Sequence, residues 1–194
     1  INIKGLDSQE LPKGITPLQI MQETKGISGD SVICKVDGQL TDLSAELLND
    51  CELQFMDAKS KDGHSVLLHS TAHLMAQAVK RLFPKTKVTI GPFLENRFYY
   101  DFDIETPFTE EDLAKIEEEM LKISNENLEI THDIKSRDEA IKFFENIDEN
   151  YKVEIINDLD KDETLKMYSQ GEFTDLCRGP HVPSTGLIKH FKLL

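Results

Sequence analysis

The feature that most constrains this chain is one long amphipathic stretch closed by a proline. Leu68, Ala72, Met75, Val79 and Leu82 recur at steps of four, three, four and three, the repeat of a helix with a single apolar stripe. The pattern predicts a helix over about residues 65–83. Pro84 ends it, because proline has no amide hydrogen to donate. A striped helix cannot cover its own apolar face, so the fold must place a sheet or further helices against it.

The flanking sequence supplies both. Residues 1–3 read as a strand. Thr16 suits a helix N-cap and Pro17 the first helical position. Residues 32–36 and 51–56 read as strands, with the Asp37-Gly38 turn pair after the first. The polar residues 57–63 read as a linker. Past Pro84, residues 88–90 and 98–104 read as strands around Gly91-Pro92. Thr109 caps a helix over about residues 110–127, with Glu110, Glu111 and Asp112 at its positive end. Phe108 and Leu113 are spaced for a hydrophobic staple, and Leu113, Ile116, Met120 and Ile123 form the buried face. Ser136 and Glu139 form a capping box that opens a third helix. Residues 151–156 and 172–176 read as strands. The class is α+β in two domains. Residues 1–59 show a small β-grasp (ubiquitin-like) pattern. Residues 61–194 read as a larger α+β domain with an antiparallel sheet and the long helix.

Charge bears on partners. The formal net charge is −14, which argues against a polyanion, because phosphate contacts need Lys and Arg. The charge is uneven along the chain, however. Residues 101–175 hold 24 acids and 8 bases, whereas residues 64–100 hold five bases (Lys80, Arg81, Lys85, Lys87 and Arg97) and one acid. Residues 176–194 hold three bases and no acid. A local surface facing a polyanion is therefore expected beside the histidine motifs. Three widely spaced cysteines, Cys34, Cys51 and Cys177, do not make a disulfide framework, so a reducing cytoplasm is expected. Cys34 and Cys51 lie among apolar neighbours and read as core thiols. The apolar runs are too short to span a bilayer, no leader pattern opens the chain, and Ile1 in place of Met suggests trimming.

The chemistry gathers in two pairs of equal spacing. His69 and His73 lie four apart on the predicted helix, hence on one face, a spacing that packing alone also produces. Cys177 and His181 repeat the spacing around Gly179-Pro180, which forbids a regular helix and implies a loop. Three histidines and a thiol have the number and type of ligands of a tetrahedral zinc site. They suit equally a metal-free site in which neutral imidazoles act as base and donor. Tyr99 and Tyr100 could stack on or bond a nucleoside, although one core and one rim aromatic is as good a reading. Asp175, two residues before Cys177, would share its face in a strand and could hold a substrate ammonium, or be one surface acid among many.

These residues carry a resemblance. His69-Ser70-Thr71-Ala72-His73, Gly91-Pro92, Phe98-Tyr99-Tyr100-Asp101, Tyr151-Lys152-Val153 and Asp175-Leu176-Cys177-Arg178-Gly179-Pro180-His181-Val182-Pro183 resemble, in order and spacing, the editing domain of bacterial threonyl-tRNA synthetases. Residues 1–59 are similar, more weakly, to the TGS domain that precedes it in that family. The resemblance implies hydrolysis of serine from tRNA(Thr) mischarged at a separate site. Serine lacks one methyl of threonine, and a missing methyl discriminates by only about 1–3 kcal/mol, so a second site is needed.

The resemblance also implies roles. His69, His73, Cys177 and His181 line the pocket, Lys152 and His69 activate water and relay protons, and Lys152 or His73 meets the oxyanion. Asp175 grips the seryl ammonium, and Tyr100 borders the terminal adenosine. No cofactor is implied for editing, and ATP and a further zinc belong to a synthetase core outside this sequence, through which the full-length enzyme is expected to dimerise. The chain should therefore not aminoacylate. It also stops short of the family's usual domain end, so 61–194 reads as C-terminally truncated. The partner implied is the acceptor end of tRNA(Thr) carrying serine, with no membrane. Two rivals stand beside this reading: a zinc-dependent deacylase of the alanyl type, with the metal on His69, His73, Cys177 and His181, and a non-catalytic tRNA-binding module.

Overall fold

The computed structural model describes residues 1–91, 93–94 and 96–194, with the backbone alone at 93 and 94. The turn expected at Gly91-Pro92 falls partly on Pro92, outside the described residues. The chain is α+β and divides into two compact units, one of residues 1–68 and 180–183, the other of residues 69–179 and 184–194.

The first unit is a four-stranded sheet with a short helix. Strands β1 (Asn2–Ile3), β2 (Ser31–Val36), β3 (Gln39–Thr41) and β4 (Glu52–Asp57) lie in the order β1-β4-β2-β3. β1 runs parallel to β4, and the other pairs are antiparallel. Asp37 and Gly38 both take positive φ, 50° and 82°, which a two-residue hairpin between Val36 and Gln39 requires. Helix α1 (Pro17–Glu23) starts as expected, with Thr16 accepting the Gln19 amide in a capping box and Pro17 in the first turn. Ile20 of α1 packs with Ile3, Leu47 and Leu53. Cys34 is fully buried, and that burial pushes its thiol up to about 12. Cys51 is half-buried against the same core.

Helix α2 (Lys61–Leu82) is longer than the stripe predicts. Ser60 explains the early start: its hydroxyl accepts the Gly63 amide at 3.1 Å, as an N-cap does, inside the segment read as a linker. The helix is also more enclosed than one stripe allows, since Ser70 to Val79 are all buried. The small residues Ser70, Ala72, Ala76 and Ala78 let neighbours approach from several sides.

The second unit continues with two short ribbons, β5 (Lys87–Val88) with β8 (Phe102–Asp103) and β6 (Phe93–Leu94) with β7 (Arg97–Phe98). The single strand expected over 98–104 is therefore two pieces, with Tyr99, Tyr100 and Asp101 between them. Helix α3 (Glu110–Glu126) begins at the Thr109 cap and ends at Asn127 in the left-handed conformation. Strand β9 (Ile130–Lys135), helix α4 (Arg137–Asn146) with its Ser136–Glu139 capping box, helix α5 (Asn150–Asp158), and strands β10 (Leu165–Gln170) and β11 (Phe173–Leu176) follow. The sheet order is β11-β10-β9, all antiparallel. Ala140, Phe144, Ile156, Leu165 and Met167 form its core.

Residues 151–156 are helical, which corrects the strand expected there. The run Tyr151-Lys152-Val153-Glu154-Ile155-Ile156 is rich in strand-formers, but packing decides. As a helix it turns Lys152 and Ile156, four apart, inward together. Strands β9 and β10 escaped the sequence reading.

Salt bridges alter the charge argument. Lys80 pairs with Glu149, Lys87 with Asp148, and Arg81 with Glu119, Glu126 and Glu172. Arg178 pairs with Glu163 and Lys192 with Glu117. Five of the eight bases in the two base-rich segments are thus paired with carboxylates of the acid-rich segment. Among the described residues, Lys85 and Arg97 are the cations of 64–100 without an ion pair. No helix of the described residues is long and apolar enough to cross a membrane.

Candidate active site

Within the second unit, α2 supplies His69 and His73, and the segment after β11 supplies Cys177. Their ligand-capable atoms lie within 4.8 Å of one another. Cys177 Sγ is 3.2 Å from His69 Nε2 and accepts the Gly179 amide at 3.2 Å. The two imidazoles meet edge to face, 5.1 Å between centroids. His73 is 4% exposed. Burial, with His69 and Lys152 adding to it, holds its pKa well below 6.5, so the ring is neutral near pH 7. Its 3.8 Å approach to Asp175 is therefore not an ion pair at that pH. Phe173 and Tyr100 wall the ring, each 6.3 Å away.

Behind the imidazoles lies a buried charged network. Lys152, from α5, donates to Asp175 Oδ1 at 2.6 Å, to the Thr89 carbonyl at 2.6 Å and to the Tyr100 hydroxyl at 3.0 Å. An ammonium has three N–H donors, and all three are taken. The Tyr100 hydroxyl donates to Asp175 Oδ2 at 2.5 Å, and the Leu176 amide donates to Oδ1 at 2.8 Å. Burial, then the Asp175 charge, drives the Tyr100 phenol well above its usual value of 10.0, so it stays protonated and remains a donor. Asp175 faces inward beside Phe173, as alternation along β11 requires.

His181 belongs to the first unit, is buried, and donates its backbone amide to Asp42 Oδ1 at 2.8 Å. Tyr100 is the core member of the aromatic pair, and Tyr99 is exposed. Lys152 reaches its place from a helix, not a strand.

Three contacts had no sequence signal, although Gly91 and Gly179 themselves read as turn and loop residues. The Thr89 carbonyl is backbone. Gly91 lies so close to the Tyr100 ring that an added Cβ would come within 2.2 Å of it. Gly179 has φ +68°, and an added Cβ would come 1.9 Å from the Tyr168 hydroxyl.

Residues 165–194 match the family model described as the threonyl and alanyl tRNA synthetase second additional domain. The chain is 50% identical over 187 residues to a threonine-tRNA ligase of Symbiobacterium thermophilum, covering 96% of this chain and 29% of that protein. It is 55% identical over 174 residues to the Fusobacterium nucleatum ligase, covering 87% and 28%. It is 44% identical over 197 residues to the Rickettsia peacockii ligase, covering 100% and 31%. The chain thus spans less than a third of the length of these relatives. Nearly all of it is similar to one stretch of threonine-tRNA ligases, and its residues 165–194 match the second additional domain of threonyl and alanyl tRNA synthetases.

Proposed function

We propose that this chain hydrolyses the ester between serine and the terminal ribose of tRNA(Thr), as a cytoplasmic proofreading step. The observation that carries this reading is the neutral His73 and the His69–Cys177 pair set against a buried Lys152–Asp175–Tyr100 network. His69 takes a proton from water, whose oxygen bonds to the ester carbonyl carbon. The developing oxyanion is met by an N–H of His73, or by the Lys152 ammonium once it gives up one of its three present acceptors. The carbon–oxygen bond to the ribose then breaks, and the proton passes to the leaving ribose oxygen. The products are serine and tRNA. Asp175 anchors Lys152 and Tyr100 and keeps an acceptor position on Oδ2 for the seryl ammonium. Tyr100 borders the ribose. Residues 61–194 act as the editing domain and residues 1–59 as a TGS-like module.

A second reading has one observation in its favour: the ligand atoms of His69, His73 and Cys177 are close enough for small movements to bring them onto one zinc ion. Such an ion would supply a more acidic water. Metal analysis of the purified protein distinguishes the two readings. The direct test is release of serine from seryl-tRNA(Thr) and of threonine from threonyl-tRNA(Thr) by this chain. Faster release of serine is expected, and equal rates on both would overturn the editing specificity.

A further inference from the structure

Glu149 is 2% exposed, and no step above uses it. It stands at the N-cap of α5, where an acidic side chain ordinarily accepts the helix's own amides, yet it makes no such bond. Its carboxylate turns elsewhere: Oε1 accepts Lys80 Nζ at 2.6 Å and Oε2 accepts the Val88 amide at 3.0 Å. The remaining donors of Lys80 go to the carbonyls of Pro84 and Thr86, at 3.1 and 2.8 Å. The Glu149 backbone carbonyl accepts the Lys152 amide at 3.1 Å, and Lys152 Nζ reaches the carbonyl of Thr89, the residue after Val88. Two consecutive residues, Val88 and Thr89, are thus tied to the first turn of α5. One tie is the Glu149 carboxylate and the other is the Lys152 ammonium.

We propose that Glu149, held by Lys80, is a positioning residue for Lys152. It fixes the distance between α5 and the end of β5, and so sets where the ammonium points. The kinetic part of this proposal rests on the hydrolytic reading above; the structural part does not.

The test compares Glu149→Ala with Glu149→Gln, whose amide oxygen can still accept the Val88 amide. Where Glu149→Ala does not fold, the double variant Lys80→Met/Glu149→Leu, which leaves no orphan charge, replaces it. Lysine ammonium groups are followed by proton–nitrogen NMR, and the Lys152 signal is identified by its loss in Lys152→Arg. Three acceptors should protect that signal from exchange with water. It is expected to move or broaden in Glu149→Ala and to move less in Glu149→Gln, which keeps the Val88 bond and loses the bond to Lys80. In parallel, kcat for seryl-tRNA hydrolysis should fall on the order of tenfold to a hundredfold in Glu149→Ala, with KM little changed, and fall less in Glu149→Gln. An unmoved Lys152 signal in folded Glu149→Ala, or no protected signal in the wild type, overturns the proposal. Full kcat in that variant overturns it too. If the wild type hydrolyses neither ester, the hydrolytic reading fails, and the ammonium signal still decides the positioning role.

Discussion

Lys152 Nζ and Asp175 Oδ1 are 2.6 Å apart, and each side chain is almost wholly closed to water, at 3% and 2% exposure. Removing one partner of such a pair leaves a buried charge uncompensated, which costs about 3–5 kcal/mol. Lys152→Met should therefore destabilise the protein by that order in urea unfolding. It should also lower seryl-tRNA hydrolysis by about a hundredfold or more, the scale of losing one preorganised oxyanion donor. The double variant Lys152→Met/Asp175→Leu carries no orphan charge and should regain stability without regaining hydrolysis. A folded Lys152→Met protein with wild-type rate would remove Lys152 from the proposed chemistry.

Gly91 and the Tyr100 ring are in closer contact than any side chain permits, since a Cβ would meet the ring at 2.2 Å. Gly91→Ala must displace the ring whose hydroxyl bridges Lys152 and Asp175. We expect a cost of about 1–3 kcal/mol, as for overpacking a core. Hydrolysis should fall roughly tenfold or more because the network shifts. Thermal melting beside a single-turnover assay gives both numbers, and unchanged values of both would show that the ring moves aside freely.

Local signals in the sequence proved legible where one or two neighbours decide the outcome. Thr16 with Gln19, Thr109 with Asp112, and Ser136 with Glu139 cap α1, α3 and α4 through bonds spanning three residues. The Asp37-Gly38 hairpin is likewise local. Residues 151–156 misled because β-branched composition points to a strand, while the helix is chosen by distant partners, Phe144 and Leu165 among them. Histidine and cysteine spacing pointed to His69, His73, Cys177 and His181, the first three of which meet within the second unit, but Thr89 enters through a backbone carbonyl, which has no sequence signature. The charge pattern is incomplete for a related reason: it is linear, whereas Arg81 meets its carboxylates 38, 45 and 91 residues away.

The thiols separate structure from chemistry. Cys34 lies in the sheet of the first unit with its pKa raised to about 12 by burial, so it should resist alkylation at pH 8 in the folded protein. Cys34→Ser and Cys51→Ser should leave hydrolysis unchanged, with Cys34→Ser costing about 1 kcal/mol for a buried hydroxyl. His73→Ala should reduce hydrolysis strongly in a protein that still melts cooperatively. Equal small losses in all three would assign the effect of His73 to stability alone.

Arg81 offers a pH-dependent test away from the site. Its guanidinium donates to Glu172 and Glu126 in two forked pairs and to Glu119 once. The Arg81 bond lowers Glu172 from its usual 4.5 to about 2, and lowers Glu126 as well. A carboxyl depressed in the folded state stabilises it fully above the unfolded value and loses that contribution as pH falls through the folded value. The window for Glu172 is therefore pH 4.5 down to about 2. Glu172 and Glu126 are 55% and 41% exposed, so water screens the pairs and the contribution is discounted to about 1 kcal/mol. Arg81→Met should be less stable than wild type by that order at pH 7 in urea unfolding. The gap should narrow as pH falls through the window, once the carboxyls protonate in both folded and unfolded chains. A gap that persisted undiminished near pH 2 would mean that Arg81 stabilises the protein by packing its methylenes rather than by its charge.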